Sequence, residues 1–197
     1  MKGVPRKQGA LVAERFFHKS RPFNQGAVLE IISLGLEHQV AIADYVAEFA
    51  GAGETGIPGY FGKPDWSHAK TVEKLNAWSR GEDLEGWVPN TTRFLLANGR
   101  ILGNFNFRHE LTDELMRHGG NCGYSVRPWE RRKGYATLML GHAKDFGRSL
   151  ELKRMLVTCD ENNIGSARAI EKNGGVFQDL VFHEQLETQV ARYWITL

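Results

Sequence analysis

One run of the chain combines residue types and spacing that point to chemistry: Gly123-Tyr124-Ser125-Val126-Arg127-Pro128-Trp129-Glu130-Arg131-Arg132-Lys133-Gly134-Tyr135-Ala136. The pattern is a strand, a turn, and a helix whose first turn is basic and holds small residues. A helix N-terminus presents unpaired N–H groups and the positive end of its dipole. Gly134 and Ala136 let a phosphate approach the backbone closely, and Arg131, Arg132 and Lys133 add positive charge. Together these features describe a cradle for a pyrophosphate. The run is not a P-loop, because the sequence contains no GxxxxGK[ST]. A GxGxxG does occur at Gly51-Ala52-Gly53-Glu54-Thr55-Gly56, but after a helical pattern and before a loop. The strand-then-helix setting of a dinucleotide site is missing there, and a flexible loop is the better reading. The seven histidines are scattered without ligand spacing, so no metal is expected. No G-x-S-x-G nucleophile elbow is present either.

The elements that must position this run follow from periodicity. Val28–Ser33 reads as a strand. Leu36–Ala50 reads as a helix with Val40, Ala43, Val46, Ala47 and Ala50 on its apolar face. Gly51–Asp65 is a glycine-rich loop and a candidate lid. Ser67–Arg80 reads as a second helix. Thr91–Leu96 and Ile101–His109 flank Asn98-Gly99, a hairpin signal. Asn121–Val126 is a strand, Arg131–Arg148 an amphipathic helix and Arg154–Cys159 a strand. Ile164–Lys172 is a helix closed by Asn173-Gly174-Gly175. Val176–Phe182 and Val190–Thr196 are final strands.

The chain has 197 residues, 42% apolar and 24% charged, enough for one domain with a sizeable core. Its +2 net charge is uneven. Residues 1–26 carry six basic and one acidic side chain, whereas the remainder carries 19 basic and 22 acidic. The expected division is a basic, poorly ordered or peripheral extension over 1–26 and a slightly acidic domain over 27–197. That balance argues against nucleic acid as a partner. No apolar run has the length of a membrane span. Cys122 and Cys159 are too few for a disulfide framework and read as free thiols, which places the chain in the cytoplasm.

The segment resembles the signature (Q/R)-x-x-G-x-(G/A) of the GNAT superfamily of N-acetyltransferases, standing here as Arg131-x-x-Gly134-x-Ala136. The strand Gly123–Val126 and Pro128 precede it at the family's spacing. Asn162-Asn163-Ile164-Gly165-Ser166 and Glu171-Lys172-Asn173-Gly174 match a further family block downstream. The resemblance covers roughly residues 28–197. It implies an α/β (α+β) fold with a central, mixed, twisted sheet of about six to seven strands, flanking helices, and a central parallel pair splayed by a bulge.

It also implies an acetyl-CoA-dependent N-acetyltransferase acting by direct amine attack in a ternary complex, with no metal. The alternative is a catalytically inactive acyl-CoA-binding or sensing domain. By this resemblance Arg131, Arg132, Lys133, Gly134, Tyr135, Ala136 and Thr137 hold the pyrophosphate. Tyr124, Ser125 and Val126 pair with the pantetheine arm, and Asn163 and Ser166 lie near it. A strand N–H near Val126 is the oxyanion donor. Many members place a tyrosine acid where this chain has Ile170, and some place a glutamate base where it has Asn121 and Cys122. His109, Glu110 and Asp160 are the candidate substitutes, beside Tyr124. Tyr60, Phe61, Phe107 and Tyr124 are the candidate acceptor-site residues. A small-molecule amine is favoured over a protein amine, and a homodimer is an assembly open to the chain by analogy.

Overall fold

The computed structural model describes residues 14–15, 28–60 and 62–197. Eight strands form one sheet in the order β1-β2-β3-β4-β5-β6-β8-β7. They are β1 (Glu14–Arg15), β2 (Leu29–Ile32), β3 (Asn90–Ala97), β4 (Arg100–Arg108), β5 (Cys122–Val126), β6 (Arg154–Asp160), β7 (Gly175–His183) and β8 (Thr188–Thr196). Every pairing is antiparallel except β5 with β6. The sheet thus has one strand more than the expected six to seven, the short β1 within the N-terminal extension. The other residues of 1–26 lie outside the described set.

Helices cover both faces. α3 (Tyr135–Ser149) and α4 (Ile164–Lys172) bury Tyr135, Met139, Leu140, Ala143, Ala169 and Ile170 against one face, where Phe105, Phe107, Met155 and Val157 wait. α1 (Gln39–Gly51) and α2 (His68–Ser79) bury Ile42, Tyr45, Phe49 and Leu75 against Phe94 and Ile101 on the other. A short π-turn, Leu115–Gly119, packs on this second face beside β6.

Two details correct the sequence reading. In α1 the stripe Val40, Ala43, Val46, Ala47 and Ala50 is exposed, and Ile42, Tyr45 and Phe49 face the core. The two stripes share helical spacing, but the large side chains bury more apolar area per residue, and that sets the helix rotation. The helix placed at Arg131–Arg148 begins instead at Tyr135, after a 3-10 turn at Pro128–Glu130. Pro128 supplies the fixed φ that starts this turn, and Arg132 and Gly134, both at positive φ (63° and 89°), end it.

The β3–β4 hairpin closes through Asn98 and Gly99, both at positive φ, as the Asn-Gly signal requires. The bulge lies not on β5 but on β4. The register steps from Leu95–Gly103 to Leu96–Ile101, leaving Leu102 unpaired, while β5 pairs with β4 without interruption from Cys122 to Val126.

Candidate functional site

The splay between β5 and β6 is pronounced. Their only register pair is Cys122–Val157, and beyond it the strands part. Asn121 fastens the closed end. Its backbone N–H donates to the Leu156 carbonyl (2.7 Å), its Oδ1 accepts from Leu156 N–H (2.8 Å), and its Nδ2 donates to the Arg108 carbonyl (3.2 Å). The residue standing where some relatives carry a base is therefore a staple across β4, β5 and β6.

Strand alternation decides what faces the fork. Arg108 N–H donates to the Asn121 carbonyl, and Arg127 N–H to the Leu102 carbonyl, so the odd-numbered residues of β5 turn their backbone toward β4. The even-numbered residues Tyr124 and Val126 turn theirs toward β6, which has already diverged. Their N–H and C=O groups open into a cleft of about 610 Å³. The Val126 carbonyl there accepts from Arg131 Nε at 3.1 Å.

The far end of the cleft is the start of α3. Gly134 is its N-cap, in the left-handed region and without a side-chain cap. Among the described bonds the first intrahelical one at this end is Leu138 N–H to the Gly134 carbonyl. The N–H groups of Ala136 and Thr137 belong to the first turn, where a helix supplies no intrahelical acceptor. With left-handed Arg132 and Gly134 preceding them they form an anion-binding concavity.

Eleven of the twelve residues expected to hold the cofactor line this cleft: Tyr124, Ser125, Val126, Arg131, Arg132, Gly134, Tyr135, Ala136, Thr137, Asn163 and Ser166. The twelfth, Lys133, sits at the rim with its ammonium 2.7 Å from Glu130. The Ser125 hydroxyl turns to the opposite face, bonded to Tyr45 and Asn104 (2.8 and 2.7 Å). Asn163 Oδ1 caps α4 by accepting from Ser166 N–H, so only its amide NH2 is left for a ligand.

The catalytic candidates divide. Val126 lines the cleft; His109, Glu110 and Asp160 do not. His109 bonds Thr91 Oγ1 at 2.8 Å and packs at a tilt against Phe146, near the opposite end of α3 from the cradle. Glu110 is exposed beside it, and Asp160 is exposed at the end of β6, with its carbonyl tied to Asn163 N–H. Of the acceptor candidates, Phe107 is fully buried in the core against Phe146, because its strand position faces α3. Tyr60 packs edge-on against Phe94 in the second core, and burial pushes its phenol up. Phe61 lies outside the described residues. Tyr124 remains in the cleft, bonded to Ser166.

Sequence reasoning missed six cleft residues, Gly165 and Ala169 of α4 among them. Arg168 and Lys172 stand four apart on the exposed side of α4, a spacing that the helical pattern already carried. Glu54 and Pro58 come from the glycine-rich loop. Glu54 makes a two-pronged ion pair with Arg131 (both contacts 2.8 Å), and the Pro58 carbonyl accepts from Asn104 Nδ2. Gly59 makes that approach possible, since a Cβ there would stand 2.6 Å from the Gly123 carbonyl. Glu54 is the only carboxylate among the described lining residues, and it is held by Arg131. Among the described residues no group of three or more His, Cys, Asp and Glu could hold a metal ion, and no helix is long and apolar enough to cross a membrane.

Comparison with known proteins gives a match to the family model described as an acetyltransferase (GNAT) domain over residues 38–176, more than half of the chain. No curated protein matches. Among solved structures, the RimL ribosomal L7/L12 alpha-N-protein acetyltransferase in complex with coenzyme A superposes with a TM-score of 0.62 at 14% identity, covering 86% of this chain and 94% of that one. The putative acetyltransferase yncA from Salmonella typhimurium, solved with acetyl-CoA, gives 0.57 at 14% identity, covering 86% and 94%. An N-acetyltransferase from Staphylococcus aureus Mu50 gives 0.58 at 16% identity, covering 85% and 98%.

Proposed function

Because the chain belongs to the GNAT acetyltransferase family, we propose that it transfers an acetyl group from acetyl-CoA to an amine by direct attack in a ternary complex. The observation that carries this reading is the continuity of the fork with the uncapped start of α3. The strand edge at Tyr124 and Val126, which no neighbouring strand pairs and where only the Val126 carbonyl is engaged, by Arg131, suits an extended amide-bearing arm, which adds to a sheet edge as a strand does. The helix start beyond them suits the pyrophosphate at that arm's end. Arg132, Arg168 and Lys172 supply further positive charge along the same cleft. The coenzyme A and acetyl-CoA named with the RimL and yncA structures accord with this choice of donor.

In this reading the amine nitrogen attacks the thioester carbonyl, and the N–H of Val126 stabilises the oxyanion. Among the described residues the cleft offers no unpaired carboxylate, and in this reading water takes the ammonium proton. A thiol of ordinary pKa, about 8.5, makes a tolerable leaving group. The acceptor stays open between a small-molecule amine and a protein N-terminus. The similarity to an enzyme named for a ribosomal protein removes the earlier preference for the former.

The test is calorimetric titration with coenzyme A, ATP and NAD, followed by a thiol-release assay over small amines and peptide N-termini. Coenzyme A alone should bind tightly, and at least one amine class should release thiol. Binding of ATP or NAD in its place would overturn the reading. Tight coenzyme A binding without turnover of any amine would leave a sensing domain instead.

A further inference from the structure

Tyr124 and Cys159 occupy the first same-face positions beyond the Cys122–Val157 pair, two residues along each diverging strand. They flank the mouth of the fork. The Tyr124 side chain crosses it: its hydroxyl lies 2.6 Å from Ser166 Oγ and 3.4 Å from the Ser166 carbonyl, on the first turn of α4. Ile170, one turn further along α4, stands where many relatives carry an acid. It is fully buried, with its Cγ2 2.3 Å from where a Cβ of Gly175 would stand. Among the described residues, the phenol at the mouth of the fork therefore comes from the strand and not from α4.

Resting on the acetyl-CoA reading, we propose that the Tyr124 hydroxyl donates a hydrogen bond to the sulfur that departs during acyl transfer and keeps its own proton throughout. The C–S bond breaks, its electron pair goes onto sulfur, and sulfur leaves as a thiolate. The proton lost by the amine nitrogen goes to water. Burial holds the phenol well above its ordinary range. It remains a donor at every working pH and is a poor source of a transferred proton. Ser166 orients it by accepting or returning the hydroxyl hydrogen bond when no sulfur is present.

The test needs no acceptor. Coenzyme A bound to the wild-type protein is titrated by thiolate ultraviolet absorbance, with desulfo-coenzyme A as the reference. The bound thiol should titrate below its free value of about 8.5, and Tyr124→Phe should raise it by about one unit, as loss of a hydrogen bond to a charged group implies. Desulfo-coenzyme A should bind both proteins equally, which also shows that the variant folds. Ser166→Ala should leave the thiol shift in place. With an acceptor in hand, Tyr124→Phe should lower kcat by about 10- to 100-fold at unchanged KM for acetyl-CoA. An unchanged thiol pKa in Tyr124→Phe overturns the proposal. So does a shift lost in Ser166→Ala alone, and so does loss of desulfo-coenzyme A affinity, which would make Tyr124 a packing residue. Failure of coenzyme A to bind the wild type overturns the acetyl-CoA reading as well.

Discussion

The two sides of β5 carry polar groups of similar kinds and put them to opposite uses. Toward the fork, Tyr124 and Val126 present backbone groups that no strand pairs. Toward α1, Ser125 and Arg127 lie in a bonded network in which Arg127 Nη2 alone, among the atoms of these two side chains, has no partner. Tyr45, Asn104 and Ser125 bond one another at 2.7–2.8 Å, and the Arg127 guanidinium meets Asp44 and Glu48 and donates through Nε to the Ile101 carbonyl. Burial accordingly pushes the Tyr45 phenol far up. Residue type does not separate the two sides. What separates them is whether a polar group has already found its partner, and an unpaired group in a cleft is one a ligand can satisfy.

The closed side should break hardest. Arg127 is 1% exposed, and Arg127→Met leaves the Ile101 carbonyl and the largely buried Glu48 carboxylate without it. Stripping one member from a buried ionic network costs about 3 kcal/mol. Denaturant unfolding should show that loss, while coenzyme A affinity of the folded protein stays within about threefold, roughly the effect of 0.7 kcal/mol. A large affinity change would mean that the two sides of β5 are coupled.

On the open side the order reverses. Gly134→Glu sets bulk and negative charge among the N–H groups of the helix start, and coenzyme A affinity should fall by at least about 100-fold, or 2.7 kcal/mol. Its backbone φ of 89° adds strain for any side chain. Gly134→Ala serves as the control and should cost only about 1–2 kcal/mol of stability. Calorimetry separates the two variants, and equal losses of affinity would make strain, not charge, the cause.

This contrast also explains what the sequence could reveal. The cradle was legible because its function resides in backbone geometry, which Gly134, Ala136 and Pro128 announce by type. Hairpins and strands were legible for the same reason, as at Asn98-Gly99. The rotation of α1 was not, because two stripes shared one period and only packing chose between them. The catalytic candidates His109, Glu110 and Asp160 were chosen by chemistry and strand position. Their distance from the fork depends on where β6 diverges, and no local pattern encodes that point. Asn121 looked like a missing base because its staple joins residues far apart in sequence. Phe107 looked like a pocket aromatic until the face its strand presents to α3 was known.

Ile170 sharpens the comparison at smaller scale. Ile170→Tyr places the family's usual acid side chain at a fully buried position beneath Gly175. Overpacking should destabilise the protein by about 1–3 kcal/mol without raising turnover, because the ring has no open path to the fork. Thermal unfolding and single-turnover rates measure the two parts. A faster acyl transfer would show that α4 yields enough to admit a second phenol, and would weaken the assignment of the fork to Tyr124 alone.

The smallest effect concerns pH. Burial lowers the His109 pKa, Arg93 adds to the depression, and Glu110 opposes it. A histidine whose folded value lies below its unfolded one binds fewer protons when folded, so stability is full above the unfolded value of about 6.5 and declines as pH falls toward the depressed folded value. His109→Gln should flatten the stability profile over that acidic window. It should leave the pH dependence of kcat/KM unchanged, since the imidazole is bonded to Thr91 and packed on Phe146, away from the cleft. If the variant instead removes the acidic limb of kcat/KM, His109 acts on the reaction, and the line drawn along β5 between an open reactive side and a closed structural remainder would have to move.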